Sequence, residues 1–293
     1  MIASWIPITL LAALFQTWRT ALQQRLRGRF SVGTAGFVRY IYAIPVGLAL
    51  LLGYRAATGG TTPVPNAGFL LGCAAGGLAQ VVGTSLLIMA FGHRNFAVGT
   101  AYSKTDAVQA AAVSWLLLGE TLPPLALAGI GVGVCGVLLL SLAGRGLNPR
   151  ELLCGLGAGA GFALAGVGIK SATLALAAPD PVLSALLALV VTNTLQTAMQ
   201  GAWMAWREPA GLRAAFTAWR SAVWVGALSA CGSACWFAGF ALAPVALVRT
   251  LAQAELVFTL LFSRFYLHET LRRADLAGLA LIVGGVLLVL LGH

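Results

Sequence analysis

Long apolar runs recur from one end of the 293-residue chain to the other, and each is about as long as a bilayer is thick. A helix of about 20 residues crosses a hydrocarbon core of about 30 Å. Only 9% of the residues are charged, against about a quarter in a soluble domain, and the mean hydropathy is +0.91. A soluble α/β protein would have shorter apolar runs, separated by charged helix faces. The pattern therefore predicts an all-α, polytopic membrane protein.

The apolar segments number about ten and fall into two sets of five, with short polar connections that could hold no soluble domain. The longest polar breaks, residues 56–66 and 207–217, are interpreted as loops. The predicted transmembrane helices cover residues 3–24, 32–54, 67–91, 97–118, 124–142, 151–176, 182–206, 219–242, 246–266 and 274–291.

The chain contains an internal repeat. Residues 118–124, Leu-Gly-Glu-Thr-Leu-Pro-Pro, return 149 residues later as Leu-His-Glu-Thr-Leu-Arg-Arg at 267–273. The same shift superposes further residues of like type: Asp106 on Glu255, Gly129 on Gly278, and Gly136 on Gly285. We therefore predict two tandem copies, residues 1–145 and 150–293. Because five helices is an odd number, the second copy enters the membrane from the opposite side, as in the inverted repeats of secondary transporters.

The net charge of +10 follows the topology. Lys and Arg gather in the loops on one side of the ten predicted helices, and the other side holds Arg55 and almost nothing else. Since cytoplasmic loops are the basic ones, we expect both termini to lie outside the cytoplasm. The predicted location is the plasma membrane, which is the inner membrane in a bacterium. The basic residues thus face the lipid bilayer's cytoplasmic side, and no nucleic-acid partner is predicted.

Charged side chains inside the predicted helices are the candidate functional residues, because burial there is expensive unless the charge is paired or faces water. In helix 97–118, Tyr102, Asp106 and Gln109 are spaced to share one face, with Lys104 on another. In helix 246–266, Glu255 takes the place of Asp106. The candidate substrate- or proton-binding residues are Asp106, Glu255, Lys104, Arg249, Arg39, Tyr102, Gln109, Gln253, Gln80 and Trp236.

Two simpler roles remain open for these residues. The charges could pair with one another and only hold the helices in register, since buried ion pairs are often neutral in stability. Tyr102 and Trp236 could serve helix packing. The glutamates of the repeated turn, Glu120 and Glu269, are interpreted as caps or anchors of that turn.

The sequence predicts no catalytic residue, metal or cofactor. The five cysteines lie in apolar segments, where they are interpreted as small packing residues. No cluster of metal-binding residues, no plausible Ser/His pair and no phosphate-binding glycine loop is present in the sequence. We therefore predict that the protein is not an enzyme and does not hydrolyse ATP on its own.

The repeated segments resemble a known family. Ala90-Phe91, a helix with a central polar residue, the run 118–122, and then Gly129 and Gly136 resemble the EamA repeat of the drug/metabolite transporter superfamily, and residues 240–291 resemble it equally. The resemblance implies a ten-helix secondary transporter. Members of that family usually have a proline at or near the positions of Asp106 and Glu255, where this chain has acids.

The mixed charge of the interior suits a zwitterion or a small organic anion better than a lone hydrophobic cation. We therefore expect a secondary transporter of a small polar metabolite, such as an amino acid, by alternating access and with possible proton coupling at a carboxylate. A drug or lipophilic-cation exporter is the alternative, and a non-transporting structural or receptor-like protein is the alternative from another class. Small-residue faces such as Gly129-x-x-x-Gly133 allow either a monomer or a homodimer.

Overall fold

Helices make up almost all of the described chain. The structure is a computed structural model that describes residues 4–26, 30–90, 103–142, 149–256 and 273–292. These residues form twelve helices and no strand: α1 Trp5–Leu26, α2 Val32–Ile41, α3 Ala43–Thr58, α4 Ala67–Ala90, α5 Asp106–Leu118, α6 Pro124–Leu142, α7 Pro149–Ala175, α8 Pro181–Arg207, α9 Pro209–Thr217, α10 Trp219–Leu242, α11 Val245–Leu251 and α12 Arg273–Leu291.

Several of these helices can cross a membrane. In the described part of the chain, five helical segments are long and apolar enough: Val32–Thr58, Ala67–Ala90, Leu152–Ala175, Pro181–Arg207 and Trp219–Leu242. Three further apolar helices are shorter: Asp106–Leu118, Pro124–Leu139 and Leu276–Leu291. The predicted class, an all-α polytopic membrane protein, is confirmed.

Two predicted segments differ from the observed helices. The predicted helix 32–54 is broken at Tyr42, whose hydroxyl donates to the carbonyl oxygen of Ala215 at 3.0 Å. The predicted loop 207–217 contains helix α9, so that interpretation was wrong. Pro209 stands at the first position of α9, where proline is favourable, and Ala215 is buried in an apolar cluster. Because α9 is so short, its few apolar residues do not make the segment apolar on average, and the sequence therefore resembles a polar loop.

The packing divides the chain into two units, and each unit draws on both sequence copies. The first unit comprises Met1–Val81 and Ala165–Ala243, and the second comprises Val82–Leu164 and Pro244–His293. The first unit therefore holds the leading helices of each copy, and the second unit holds the last ones. The division falls within α4 and within α7.

In the first unit, α8 packs against α2, α3 and α10, and α1 packs against α10. An apolar cluster joins α2, α8, α9 and α10, and its buried members are Phe37, Val38, Met204, Ala215, Ala222 and Val225. Helices α4 and α7 approach through glycine. A Cβ on Gly72 would stand 2.8 Å from the backbone nitrogen of Ala172, so only a residue without a side chain fits there.

In the second unit, α6 and α12 meet in a reciprocal contact. A Cβ on Gly129 would stand 2.6 Å from the carbonyl oxygen of Gly285, and a Cβ on Gly136 would stand 2.7 Å from that of Gly278. The internal repeat makes Gly129 equivalent to Gly278 and Gly136 equivalent to Gly285. Both helices therefore make the contact with the same two positions of the repeat. The first position of one helix faces the second position of the other. Such a contact is the signature of a twofold relation between antiparallel elements, which fits an inverted repeat.

Candidate functional site

The charged candidates of the second unit lie where a helix is interrupted, in both copies. Helix α5 begins at Asp106, and Lys104 and Thr105 form a turn before it. In the second copy, α11 ends at Leu251, residues 252–253 form a turn, and helical structure resumes at 254–256. The prediction of one continuous helix over 97–118 was therefore wrong at 104–105.

Short-range hydrogen bonds explain the interruption in the second copy. The backbone N–H of Glu255 donates to the carbonyl of Ala252 at 2.9 Å, and that of Leu256 donates to the carbonyl of Gln253 at 2.9 Å. These bonds span three residues instead of four, so the chain tightens locally into a 3₁₀-type turn. Such turns within a helical stretch often mark a functional hinge.

Four buried charges form two ion pairs that connect the copies. The ammonium of Lys104 contacts the carboxylate of Glu255. The guanidinium of Arg249 lies 3.2 Å from Oδ2 of Asp106. Asp106 and Glu255 are equivalent in the repeat, so each copy supplies one acid, and each acid is neutralised by a cation of the other copy. Asp106 also interacts electrostatically with Lys104 and Glu255, so the four charges form one cluster, which we call the crossed pairs.

Every member of the crossed pairs is less than one-tenth exposed. Removing two charges from water costs several kcal/mol per ion, and mutual attraction repays this only when further hydrogen bonds satisfy the remaining polar atoms. Arg249 meets this condition in part, because it also donates to the carbonyl oxygen of Phe162 at 2.8 Å. The crossed pairs are balanced in charge, two cations against two anions.

Several polar atoms in or near the crossed pairs have no hydrogen-bond partner among the described residues. Oδ1 of Asp106 and Oε1 of Gln109 accept no hydrogen bond from the described residues, although both are buried. Gln109 uses its Nε2 to donate to Oγ1 of Thr105 at 3.1 Å. Gln253 is fully buried against Gly133, and neither of its amide atoms is bonded within the described chain. Asp106, Gln109 and Gln253 thus offer three acceptors and one donor that a ligand, a proton or water could satisfy.

Three other predicted residues lie in the first unit. Arg39 is buried in α2, with its guanidinium 5.4 Å from the ring centroid of Tyr40. Oε1 of Gln80 accepts from Nε2 of Gln196 at 2.8 Å. Trp236 donates from its indole nitrogen to Oε1 of Gln16 at 3.2 Å and stacks on Phe240, with 5.7 Å between ring centroids. Arg39, Gln80 and Trp236 are therefore not members of the crossed pairs.

Of the remaining predicted residues, two cannot be placed and one contacts a different helix. Tyr102 and Glu269 lie outside the described residues. A carboxylate oxygen of Glu120 lies 3.4 Å from the backbone nitrogen of Val245, its donor at the start of α11. Glu120 thus contacts the first turn of another helix, and its predicted role as a cap or an anchor of its own turn stays a prediction. That turn depends on Gly119, which has a φ of +66° at the C-terminus of α5.

A group of buried polar residues on α8 was missed in the sequence. Thr192, Asn193, Gln196 and Gln200 recur at helical spacing within a predicted transmembrane segment, and all four are buried. The signal was present in that spacing, since polar residues at i, i+1, i+4 and i+8 share one face. We call these four residues the α8 polar stripe.

Metal binding receives no support from the described residues, among which no three His, Cys, Asp or Glu side chains are grouped as metal ligands would be. Of the cysteines, Cys73 is buried and the other four are partly or fully exposed, with no disulfide among them.

Comparison with known proteins places the chain in a family and finds solved structures of similar fold. The profile of the EamA-like transporter family matches residues 3–142 and, a second time, residues 150–291. A solved crystal structure aligns over 100% of this chain and 98% of its own, with a TM-score of 0.73 and 19% sequence identity, which shows a shared fold alone. No curated protein matches the chain.

Proposed function

Since the chain belongs to the EamA-like transporter family, we propose that it is a secondary transporter of a small polar metabolite, such as an amino acid or a related zwitterion or organic anion. The transport step is alternating access between two inverted copies, across the plasma membrane. Family members are generally not enzymes, and we propose no covalent chemistry here.

The observation that carries this proposal is the composition of the crossed pairs. A zwitterion has one cationic and one anionic end, so it can replace an internal partner of each sign without leaving a net buried charge. Oδ1 of Asp106 offers an unused acceptor to an ammonium group. Lys104 or Arg249 offers a cation to a carboxylate. Binding then replaces ion pairs within the protein by ion pairs between protein and ligand. A ligand can shift a conformational equilibrium only if it binds the two conformations with different affinity, and this replacement would provide that difference.

Proton coupling fits the same residues. A proton on the carboxylate of Asp106 would release Arg249, and a proton on Glu255 would release Lys104. Either event would change the charge of the cluster by one, and it would compete directly with an ammonium ligand. Because proton and substrate compete for the same carboxylates, the protein would exchange one for the other across the membrane. The gradient of one would then drive transport of the other.

Export of a lipophilic cation has less support. Both acids are already neutralised by cations of the protein. A lone organic cation would displace Lys104 or Arg249 and leave that side chain buried without its counter-ion, at a cost of several kcal/mol. A growth assay with quaternary ammonium compounds tests this alternative, and resistance conferred by the protein would favour it.

The direct test is transport in proteoliposomes. We expect Asp106→Asn and Glu255→Gln each to reduce uptake of a radiolabelled amino-acid mixture by at least tenfold, while the proteins still purify as monodisperse species. Arg55→Gln, which removes an exposed charge at the end of α3, is the matched control and should transport normally. Full activity of both carboxylate variants would remove these residues from the mechanism.

A further inference from the structure

The charged residues of α8, α9 and α10 are confined to one short segment of the first unit. Over residues 181–242 the sequence contains only these charged side chains: Arg207, Glu208, Arg213 and Arg220. Because α8 ends at Arg207 and α10 begins at Trp219, the segment connects the ends of two helices that are long and apolar enough to cross a membrane. The segment therefore lies at a membrane surface, where lipid headgroups are found.

Helix α9, at the centre of this segment, is fixed to the protein by its apolar residues. It packs against α2, α8 and α10. Ala215 is fully buried, and Leu212 is partly buried against the same apolar cluster. The ring of Phe216 meets that of Phe37 edge-on, with 6.1 Å between the ring centroids. The protein thus sets the position of α9, and the residues on its outer face are left to contact the surroundings.

The single acid of the segment is turned toward the protein. A Cβ on Gly33, in the first turn of α2, would stand 2.5 Å from Oε2 of Glu208, and a Cβ on Gly211 would stand 2.7 Å from its Oε1. The first turn of a helix carries a partial positive charge, which favours a carboxylate there. Glu208 is accordingly only partly exposed, and it forms no ion pair with the arginines of the segment.

The three arginines are exposed, and two of them lie over tryptophan rings. The guanidinium of Arg207 is 4.2 Å from the ring centroid of Trp206, and that of Arg220 is 5.6 Å from the ring centroid of Trp219. Both tryptophans are more than half exposed, as expected of rings at a membrane interface. A guanidinium that stacks on a ring by its face keeps the N–H groups of its edge available to an acceptor.

We propose that Arg207, Arg213 and Arg220 form a binding surface for the phosphate groups of anionic phospholipids. The fork of an arginine matches the oxygens of a phosphate, and the adjacent tryptophans lie at headgroup depth. A zwitterionic lipid brings a cation of its own to these arginines, which repel it because no acid neutralises them. An anionic lipid brings none and is therefore preferred. This inference does not depend on the transported substrate.

Native mass spectrometry of the purified protein tests the preference. The protein is incubated in detergent with equal amounts of phosphatidylglycerol and phosphatidylcholine. One basic residue near an anionic surface changes the binding constant by about fivefold, so we expect the retained lipid to be enriched in phosphatidylglycerol by about fivefold or more. Phosphatidylglycerol should also raise the melting temperature of the protein above its value in phosphatidylcholine.

Substitution of the arginines ties the preference to this surface. In Arg207→Gln/Arg213→Gln/Arg220→Gln the ratio of the two retained lipids should be close to one, and the two melting temperatures should be equal. Arg55→Gln, which removes an exposed arginine from the last turn of α3, is the control and should keep the wild-type ratio. Should the triple variant fail to fold, Arg207→Gln and Arg220→Gln are tested singly, and each should reduce the enrichment.

Glycerophosphoglycerol, the same headgroup without acyl chains, separates a lipid from a soluble phosphate compound. We expect it to leave the melting temperature unchanged, and a rise equal to that caused by phosphatidylglycerol would overturn the assignment to a lipid. Equal retention of the two lipids by the wild-type protein would overturn the proposal. So would wild-type enrichment in the arginine variants, or an equal loss of enrichment in Arg55→Gln, which would indicate a general effect of net charge. None of these results bears on the transport function.

Discussion

Replacing one member of a crossed pair should destabilise the protein far more than replacing both. Glu255→Met leaves the ammonium of Lys104 buried without its counter-ion, and Lys104→Met leaves the carboxylate of Glu255 in the same position. Breaking a buried ion pair in this way costs about 3–5 kcal/mol. The lower end applies to Glu255→Met, because Asp106 interacts with Lys104 and partly compensates its charge. Lys104→Met leaves the carboxylate of Glu255 near Asp106, which has the same charge, so this compensation is absent there. We therefore expect Glu255→Met to lose about 3 kcal/mol and Lys104→Met to lose at least as much.

The double variant Lys104→Met/Glu255→Met replaces the pair by apolar side chains of similar volume. Its free energy of unfolding should lie within about 1 kcal/mol of the wild-type value or above it, since such replacements are often neutral or stabilising. Since each single variant loses at least about 3 kcal/mol and the double variant at most about 1 kcal/mol, the coupling energy between the two sites is at least about 5 kcal/mol, above the usual range for residues in contact. Transport should be lost in the double variant even though its stability is kept.

The measurement is unfolding by SDS in mixed micelles, followed by tryptophan fluorescence. Arg55→Gln serves as the reference for a surface charge, and it should change the free energy by less than about 0.5 kcal/mol. The reasoning is refuted if the double variant is as unstable as either single variant, or if the single variants match Arg55→Gln. A stable double variant with full transport would refute only the functional part.

Three further results are expected. Gly129→Ala should lower the free energy of unfolding by about 1–3 kcal/mol, because the added methyl group forces α6 away from α12. Gly131→Ala is the control on the same helix, since its methyl group meets open space and should not lower that free energy. The SDS titration described above compares the two variants. Gly119→Ala should cost about 1–2 kcal/mol in that titration because of its positive φ, and no loss would contradict the left-handed turn. In a cysteine-free background, an impermeant maleimide should label Thr61→Cys in intact cells and Arg150→Cys only after permeabilisation, and the reverse pattern would invert the proposed topology.

Much of the fold could be predicted from apolar segment lengths and from the repeat. The observed α10, Trp219–Leu242, has the predicted bounds, and α6 likewise spans the predicted residues 124–142. The interruption at Lys104 and Thr105 could not be predicted in the same way. Neither residue breaks a helix by its own propensity, and no proline or glycine marks the position. The turn depends on tertiary contacts, among them the approach of Gly159 to Ser103 and Thr105.

The four charged residues of the candidate site could be predicted from the sequence, but the way in which they pair could not. The shift of 149 residues identifies Asp106 and Glu255 as equivalents, so both could be chosen as candidates from the sequence alone. Their partners could not, because Lys104 and Arg249 occupy different positions in the repeat and no periodicity relates them. The α8 polar stripe has a visible period, yet a neutral amide is a weaker signal than a charge. Its significance depends on which amide ends are bonded, and only three-dimensional contacts show that.

The assembly of each unit from both copies has a consequence for biosynthesis. When the first copy has entered the membrane, Lys104 and Asp106 are present, but Arg249 and Glu255 have not yet been made. The second unit also lacks α12, the partner of α6, until the second copy has been made. Until then Lys104 and Asp106 lack the partners, Glu255 and Arg249, that complete the crossed pairs. Completion of the second copy, and not of the first, is therefore expected to set the moment at which this unit can fold.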